Sequence, residues 1–147
     1  MNSSNNQAIH LLKQHGFRKT ASRMAVLRAF LRTTHALSHQ YIDSIVGNDF
    51  DRVTIYRTLL SFIESGIIHK IPDPAGPPKY ALCIEGHCHD GIHQDHHVHF
   101  ACNQCKQTFC IEDVSVPGIQ LPRSYAISKV NFLIEGTCKN CFEPVEP

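Results

Sequence analysis

Two pairs of cysteines, each separated by two residues, have the spacing of ligands for a single metal ion. Cys102 and Cys105 form the first pair, and Cys138 and Cys141 form the second. A C-x2-C turn directs two sulfurs at one tetrahedral ion, so two such turns supply four thiolates. The spacing therefore predicts a closed structural zinc site with no position for a substrate. A redox disulfide or a chance pairing is the alternative interpretation.

Length and composition limit what the rest of the chain can be. Its 147 residues can bury one ordinary core or two small ones. No apolar run approaches the length of a membrane span, and the first residues lack the charged-then-apolar pattern of an export signal. The odd count of seven cysteines, four of them in pairs, favours metal-bound thiolates in a reducing compartment. We therefore expect a cytoplasmic protein without a membrane partner.

The charged residues are divided unevenly between the two halves of the chain. Residues 1–70 contain nine Lys and Arg against four Asp and Glu, whereas residues 71–147 contain five against nine. The acidic half is also the one rich in His and Cys. This division indicates a module that binds a polyanion, fused to a module that binds metal.

The N-terminal half has the apolar spacing of four helices. The first is expected at about residues 6–15, and the second begins after a cap at Thr20 or Ser22. Ser38 caps a short third helix, and the fourth spans residues 52–65. Short helices that precede a longer one are the arrangement found in helix-turn-helix proteins.

A hairpin follows these helices. Residues 67–71 and 79–82 have the composition of strands, and the segment between them is rich in Pro and Gly. Helices followed by a two-stranded hairpin are typical of the winged helix, which inserts one helix into the major groove. The sequence therefore predicts a winged-helix DNA-binding domain at residues 1–82.

The fourth helix contains the best candidates for base contacts. Four apolar residues share one face, which we expect to be its core side: Val53, Tyr56, Leu60 and Ile63. Arg52, Thr54 and Arg57 lie elsewhere on this helix, so they are predicted to be exposed and to contact DNA. Arg57 suits a phosphate or a base edge, and the ring of Tyr56 suits thymine methyl groups, although a core role competes for Tyr56.

Basic residues before the second helix add to this surface. Arg18, Lys19 and Arg23 are expected to contact the DNA backbone or a narrow minor groove. The bland alternative for all of these residues is an ordinary solvated helix face.

The remainder of the chain is predicted to form a hinge and a second domain. Residues 83–95 fit neither a strand nor a helix, so we place an irregular hinge there. Strands are expected near residues 97–101, 107–111 and 126–134. A small mixed domain at 96–147 with an exposed sheet edge is predicted to mediate dimerisation. The predicted fold class is α+β.

In their combination and order, several motifs resemble the ferric uptake regulator family of bacterial metal-dependent repressors. The motifs are residues 20–23, residues 53–59, the His-rich run 96–99 leading into the first cysteine pair, and residues 136–141. The resemblance implies a homodimer that binds A/T-rich palindromic operator DNA and is not an enzyme. It also implies that the four cysteines hold the structural zinc of the family.

A regulatory metal site between the domains is implied as well. The resemblance assigns His97 and His99 to it, and their alternate spacing puts both rings on one face of a strand. Where iron sensors carry a Glu this chain has Ala81, while Cys83 and His69 match ligands of zinc uptake regulators. Three imidazoles and a thiolate favour zinc over ferrous iron. The sequence therefore resembles a zinc sensor, with Fe²⁺ or Mn²⁺ as the alternative at this site.

Four further residues are less clearly placed by the resemblance. His35 matches a ligand of iron- and peroxide-sensing members, which makes such a sensor the alternative function. His96 matches one ligand of a third family site, but Val98 replaces another. Glu112 is expected near the regulatory site, and Cys110 is interpreted as an apolar residue of its strand.

The hinge carries a group of potential ligands with no counterpart in that resemblance, namely His87, Cys88, His89 and His93. They supply additional metal ligands or belong to a solvated polar loop, and the sequence does not separate these interpretations. A zinc chaperone or buffer is a second rival function, although it would not need the basic half. An enzyme is disfavoured because the H-E-x-x-H and zinc-deaminase motifs are absent.

Overall fold

The computed structural model describes residues 2–83, 88–89, 92–93, 97–114, 116–128 and 130–143. Its helices and strands, in chain order, are α1 (Asn2–Gln14), α2 (Ala21–Leu31), β1 (Leu37–Ser38), α3 (His39–Val46), α4 (Arg52–Glu64), β2 (Ile68–Ile71), β3 (Lys79–Leu82), β4 (Cys88–His89), β5 (Ile92–His93), β6 (Val98–Cys102), β7 (Thr108–Ile111) and β8 (Leu133–Gly136). Among the described residues, no helix is both long and apolar enough to span a membrane.

Side-chain caps define the beginnings of three helices. Thr20 accepts a hydrogen bond from the backbone N–H of Arg23 and begins α2, and Ser38 accepts from Tyr41 and begins α3. Asp51 accepts from Thr54 at 2.7 Å and begins α4. These bonds satisfy N–H groups that have no partner inside the helix. The caps predicted at Thr20 and Ser38 are confirmed, and α1 begins about four residues earlier than predicted.

The core of the N-terminal half lies between the helices and one face of a sheet. Phe62 of α4 is fully buried and meets the ring of Phe17 edge to face, with centroids 5.7 Å apart. Ile55 and Leu59 share the buried face of α4 with Phe62. Each of these large side chains contributes roughly 1.5–3 kcal/mol by leaving water. The helices therefore have a continuous apolar core beneath them.

The predicted core face of α4 is wrong at three of its four residues, whereas the fourth, Ile63, packs against the core. Val53, Tyr56 and Leu60 are exposed by 57%, 51% and 39%. Two sets of apolar residues recur along α4 at helical spacing, and the set that faces α2 and β2 is the buried one. The core role that competed for Tyr56 is thereby removed, and α4 presents an apolar stripe to solvent.

A three-stranded antiparallel sheet in the order β1-β3-β2 completes the winged helix. Residues 37–38, which precede the third helix, form strand β1 against β3. Side chains alternate along a strand, so β2 and β3 contribute to two apolar clusters, one on each face of the sheet. Ile68 and Tyr80 face the helical core, whereas Ile71 and Ala81 face a second cluster.

The second sheet has the order β7-β6-β8, with β7 antiparallel and β8 parallel to β6. The strand predicted at 126–134 is displaced. Strand β8 begins at Leu133, and the described residues within 126–132 lie outside any helix or strand. The hinge, predicted to be irregular, contains the paired strands β4 and β5. Cross-strand pairing can override weak local propensity.

The two larger sheets contact each other along one seam. The backbone N–H of Ala36 donates to the carbonyl of Thr108 at 2.7 Å. The ammonium of Lys79 donates to the carbonyl of Lys106 and to the hydroxyl of Thr108, and it lies 3.4 Å from the carboxylate of Asp73. Lys79 thus ties the wing to the turn that follows the first cysteine pair.

Candidate metal centres

The four paired cysteines form one compact group at the end of the second sheet, which we call the four-cysteine group. Their sulfurs all lie within 4.8 Å of one another, which brings the two predicted C-x2-C turns together. The first turn closes through a bond from the Lys106 N–H to the Cys102 carbonyl, and Lys106 adopts a positive φ of 61°. The N–H of Asn103 donates to the carbonyl of Gly136, which joins this turn to the end of β8.

The separation of these sulfurs fits zinc and not a disulfide. The sulfurs of Cys105 and Cys138 are 3.8 Å apart. A disulfide requires about 2.05 Å. Four sulfurs at about 2.3 Å from a tetrahedral zinc ion lie about 3.8 Å from each other. The group therefore has the composition and the spacing of a structural zinc site, and it contains the four cysteines that the sequence predicts for one.

Hydrogen bonds divide charge unevenly among the four thiols. The backbone N–H of Cys138 donates to the sulfur of Cys102 at 3.3 Å, and this bond lowers the pKa of Cys102 to about 6. Contact with the Cys138 thiol raises the pKa of Cys141 to about 12. A thiolate is the form that binds metal, so Cys102 accepts a cation more readily than Cys141.

A second group, which we call the histidine–cysteine group, combines residues from both sheets. His69 lies on β2, His97 precedes β6, His99 lies on β6 and Cys110 lies on β7. One donor atom from each lies within 4.8 Å of the others. The three imidazoles are almost fully buried, whereas Cys110 is partly exposed. The wing and the second sheet therefore share one set of potential ligands.

The distances in this group also fit a small tetrahedral ion. The Nε2 atoms of His69 and His99 are 3.1 Å apart, and the sulfur of Cys110 lies 3.6 Å from Nε2 of His69. Nitrogens at about 2.0–2.1 Å and sulfur at about 2.3 Å from zinc lie about 3.3–3.6 Å apart. The rings of His97 and His99 have centroids 4.6 Å apart, as their alternate spacing predicts.

This group differs by one residue from the predicted ligand set. Cys83, the predicted thiolate, has its sulfur 3.5 Å from Nδ1 of His69, on the other nitrogen of the ring. Cys110, interpreted as an apolar strand residue, does pack against the second apolar cluster, but it is also a member of the histidine–cysteine group. The pairing of β6 with β7 places Cys110 opposite His99. A hairpin register, had it been drawn from the two predicted strands, would have identified Cys110.

The remaining predicted ligands fall into three groups. His35 and Glu112 line a cavity of about 240 Å³ that Cys110 also lines. Neither His35 nor Glu112 belongs to either of the two metal-ligand groups found among the described residues. His87 and His96 lie outside the described residues. For Cys88, His89 and His93 the description covers only the pairing of β4 with β5.

The predicted DNA-contacting residues are distributed over α4 and the start of α2. Tyr56 and Arg57 of α4 are exposed. Thr54 is partly buried, and its backbone N–H donates a hydrogen bond to the carboxylate of the Asp51 cap. Arg52 is exposed and its Nε donates to the carboxylate of Asp43 at 2.9 Å, so its orientation is restrained. A basic and apolar helix surface of this kind can contact both phosphates and thymine methyl groups.

The second basic segment is partly structural. Arg18 and Lys19 are exposed. Arg23 donates to the carbonyl of Arg18 at 2.9 Å, and its guanidinium stacks over the ring of Phe17 at 4.9 Å. Arg23 therefore stabilises the turn before α2, while Arg18 and Lys19 extend into solvent.

A winged helix joined to a sheet with a four-cysteine group and a histidine–cysteine group defines a metal-binding, helix-turn-helix class of protein. Comparison with known families agrees with this class. The model of the ferric uptake regulator family matches residues 14–135. The chain belongs to this family, whose members are metal-responsive transcription regulators.

Curated relatives and solved structures are similar along most of their length. Ferric uptake regulation proteins of Staphylococcus aureus and Staphylococcus epidermidis are 28% identical, and each match covers 92% of this chain and 96% or 94% of the relative. The structure of holo XcZur superimposes with a TM-score of 0.65 at 18% identity, covering 96% of this chain and 98% of XcZur. The structure of the Helicobacter pylori ferric uptake regulator Fur superimposes with a TM-score of 0.57 at 17% identity, covering 99% of this chain and 95% of that regulator. At these identities the structural matches report the fold.

Proposed function

We propose that this protein is a zinc-responsive transcriptional repressor that binds palindromic operator DNA as a homodimer when its regulatory site is loaded. The observation that carries the proposal is the buried histidine–cysteine group, which draws ligands from the wing and from the second sheet. Membership of the ferric uptake regulator family supplies the general activity of metal-responsive regulation. The choice of zinc rests on the donor atoms of the histidine–cysteine group.

The regulatory ligands are assigned to His69, His97, His99 and Cys110. Three neutral imidazoles and one thiolate form a set with no oxygen donor, which zinc accepts readily and which ferrous iron and manganese prefer less. Cys83 is assigned to the opposite nitrogen of His69, where a thiol near Nδ1 fixes ring orientation. When bound, zinc supplies a rigid junction among the four side chains.

The operator interface is assigned to α4 and the segment before α2. Arg57 is the main candidate for a base edge or phosphate, and exposed Tyr56 offers its ring to thymine methyl groups. Arg18 and Lys19 supply contacts with the DNA backbone. Arg52 is already paired with Asp43, so we expect it to contribute less than Arg57.

Homodimerisation is assigned to the C-terminal part of the chain. Large apolar side chains lie exposed in and around its sheet: Val114, Ile119, Leu121, Tyr125, Ile127, Ile134 and Phe142. Exposed apolar residues at this density indicate a surface that a partner covers. A second copy of the chain fits because a palindromic operator requires two-fold symmetry in the protein.

Regulation follows from the elements that carry the ligands. His69 moves with the wing and therefore with α4, whereas His97, His99 and Cys110 belong to the second sheet. When these four side chains hold one cation, the separation of the two α4 helices in the dimer is restrained to one value. A ligand that binds one arrangement of the dimer more tightly than the others shifts the population towards that arrangement. A coupling of about 1–3 kcal/mol changes operator affinity by about 5- to 150-fold, and DNA must tighten metal binding equally.

The test is operator binding by the dimer, measured by fluorescence anisotropy on an A/T-rich palindromic duplex with Zn²⁺, Fe²⁺ or Mn²⁺ added at fixed free concentration. Zinc is expected to tighten operator binding at least about fivefold relative to the dimer whose regulatory site has been stripped of metal. Activation by ferrous iron alone would favour an iron- or peroxide-responsive regulator. Zinc binding without any change in DNA affinity would favour a zinc buffer.

Arg57→Ala tests the interface in the same assay. This variant should weaken binding and reduce the slope of affinity against salt, because each lost phosphate contact removes about 0.9 from that slope. Arg123→Ala, which removes an exposed arginine from the C-terminal part of the chain, is the matched control and should behave like the parent. Equal effects of the two substitutions would remove Arg57 from the interface.

A further inference from the structure

The three imidazoles of the histidine–cysteine group are almost completely shielded from solvent. His69, His97 and His99 are exposed by only 1%, 6% and 1%. A protein interior packed at crystal density does not admit a hydrated ion. Cys110 is the partly exposed member of the group, so its sulfur is a point at which an ion can reach the imidazoles.

A cavity leads to this sulfur. It has a volume of about 240 Å³, and its lining includes Thr33, His35, Ala81, Cys110 and Glu112. Liquid water occupies about 30 Å³ per molecule, so a cation with six waters needs roughly 180 Å³. The cavity is therefore large enough for a hydrated divalent cation.

The lining has the chemistry to attract such an ion. Glu112 is exposed and supplies a carboxylate, and among the described lining residues there is no lysine or arginine. Nδ1 of His35 lies 3.0 Å from the carbonyl of Ala36. A carbonyl only accepts hydrogen bonds, so Nδ1 is the donor in this bond and Nε2 is the ring nitrogen with which His35 can contact a cation.

We propose that this cavity is the access route for the regulatory cation: Glu112 and His35 attract a divalent cation from solvent, and Cys110 passes it to the three imidazoles. Glu112 and His35 are then transient contacts that set rates, and not members of the final ligand set. The proposal rests on the proposed function only in taking the histidine–cysteine group to be the regulatory site.

The test measures how fast Co²⁺ enters the histidine–cysteine group in the full-length dimer, with zinc retained in the four-cysteine group. Stopped-flow absorbance of the thiolate-to-cobalt band follows binding directly, and chelator competition gives the dissociation rate. A carboxylate about 6 Å from a divalent ion in water changes its local concentration about tenfold at low salt. Glu112→Gln should slow association by up to that factor and remove most of its salt dependence.

Two more variants separate a route from a ligand. His35→Gln combined with Glu112→Gln should slow association and dissociation together and leave the equilibrium affinity within about twofold. Thr34→Phe places a large ring at the exposed lining residue Thr34 and should slow both rates without changing any charge. Glu135→Gln, an exposed carboxylate on β8, is the control and should match the parent.

Two results would overturn the access route. One is an unchanged association rate in all three variants, which would mean that the ion enters elsewhere. The other is a loss of equilibrium affinity without a change in association rate, which would make His35 or Glu112 a resident ligand. Operator binding is measured separately, so cobalt entering at the expected rate without any effect on DNA would refute the repressor and leave the route standing.

Discussion

Replacing Cys110 and Cys83 with alanine, one at a time, distinguishes the two thiols that flank His69. The sulfur of Cys110 lies 3.6 Å from Nε2, the nitrogen that faces His99, whereas the sulfur of Cys83 lies 3.5 Å from Nδ1. The two ring nitrogens point in different directions. If Nε2 binds the ion, Cys110 is a direct ligand and Cys83 an outer partner.

The expected magnitudes differ enough to be measured. Four-ligand zinc sites are worth about 10–16 kcal/mol, which is about 2.5–4 kcal/mol for each ligand. Cys110→Ala should therefore weaken zinc binding by about two to three powers of ten. Loss of an outer partner costs about 10- to 100-fold, and a weak thiol donor such as Cys83 should lie near the lower limit.

The assay is zinc competition against a chromophoric chelator, with zinc retained in the four-cysteine group, followed by cobalt substitution at the regulatory site. Cys110→Ala should lose the thiolate-to-cobalt absorption, and Cys83→Ala should keep it. The opposite pattern would refute the assignment, because Cys83 would then be the direct ligand. A band that is weakened but retained in both variants would mean that two thiolates bind the ion.

Three further perturbations follow from features of the fold. Cys105→Ser should lower the bound zinc by one ion per chain and the melting temperature by several degrees, which elemental analysis and calorimetry would detect; an unchanged zinc content would contradict the assignment of zinc to the four-cysteine group. Asp51→Ala should destabilise the protein at neutral pH. The Thr54 N–H lowers the pKa of Asp51 below 3.8, so this difference should disappear in urea titrations as the pH falls through that lowered value, and a constant difference would exclude the charged cap. Lys79→Met should weaken operator affinity with zinc affinity retained, whereas parental DNA binding would show that the seam does not orient the wing.

Local features of the fold could be predicted from the sequence because their causes are local. A cap needs only one polar side chain within three residues, so Thr20 and Ser38 were identifiable. Each C-x2-C turn is likewise complete within four residues. The wing strand 79–82 could be predicted for the same reason: its own composition is that of a strand, and a Pro- and Gly-rich turn directly precedes it.

Features that depend on contacts between distant segments could not be predicted in this way. Either apolar stripe of α4 satisfies helical spacing, and only the position of α2 and β2 decides that Leu59 is buried and Leu60 exposed. The contact between His69 and Cys110 joins residues 41 apart and depends on how two sheets face each other. Parallel pairing of β8 with β6 is similarly remote, which explains why this strand was placed too early.

The wing strand β2 is only four residues long, and two adjacent residues on it face in opposite directions. The ring of His69 is enclosed between the sheets, while the ammonium of Lys70 is in solvent. A single peptide unit of about 3.8 Å separates their Cα atoms. Any rotation of β2 about its axis that follows the imidazole must turn the lysine through the same angle. If His69 binds the regulatory ion as proposed, a rotation of β2 on metal binding would therefore reach the solvent-exposed Lys70 with no flexible segment between the two residues.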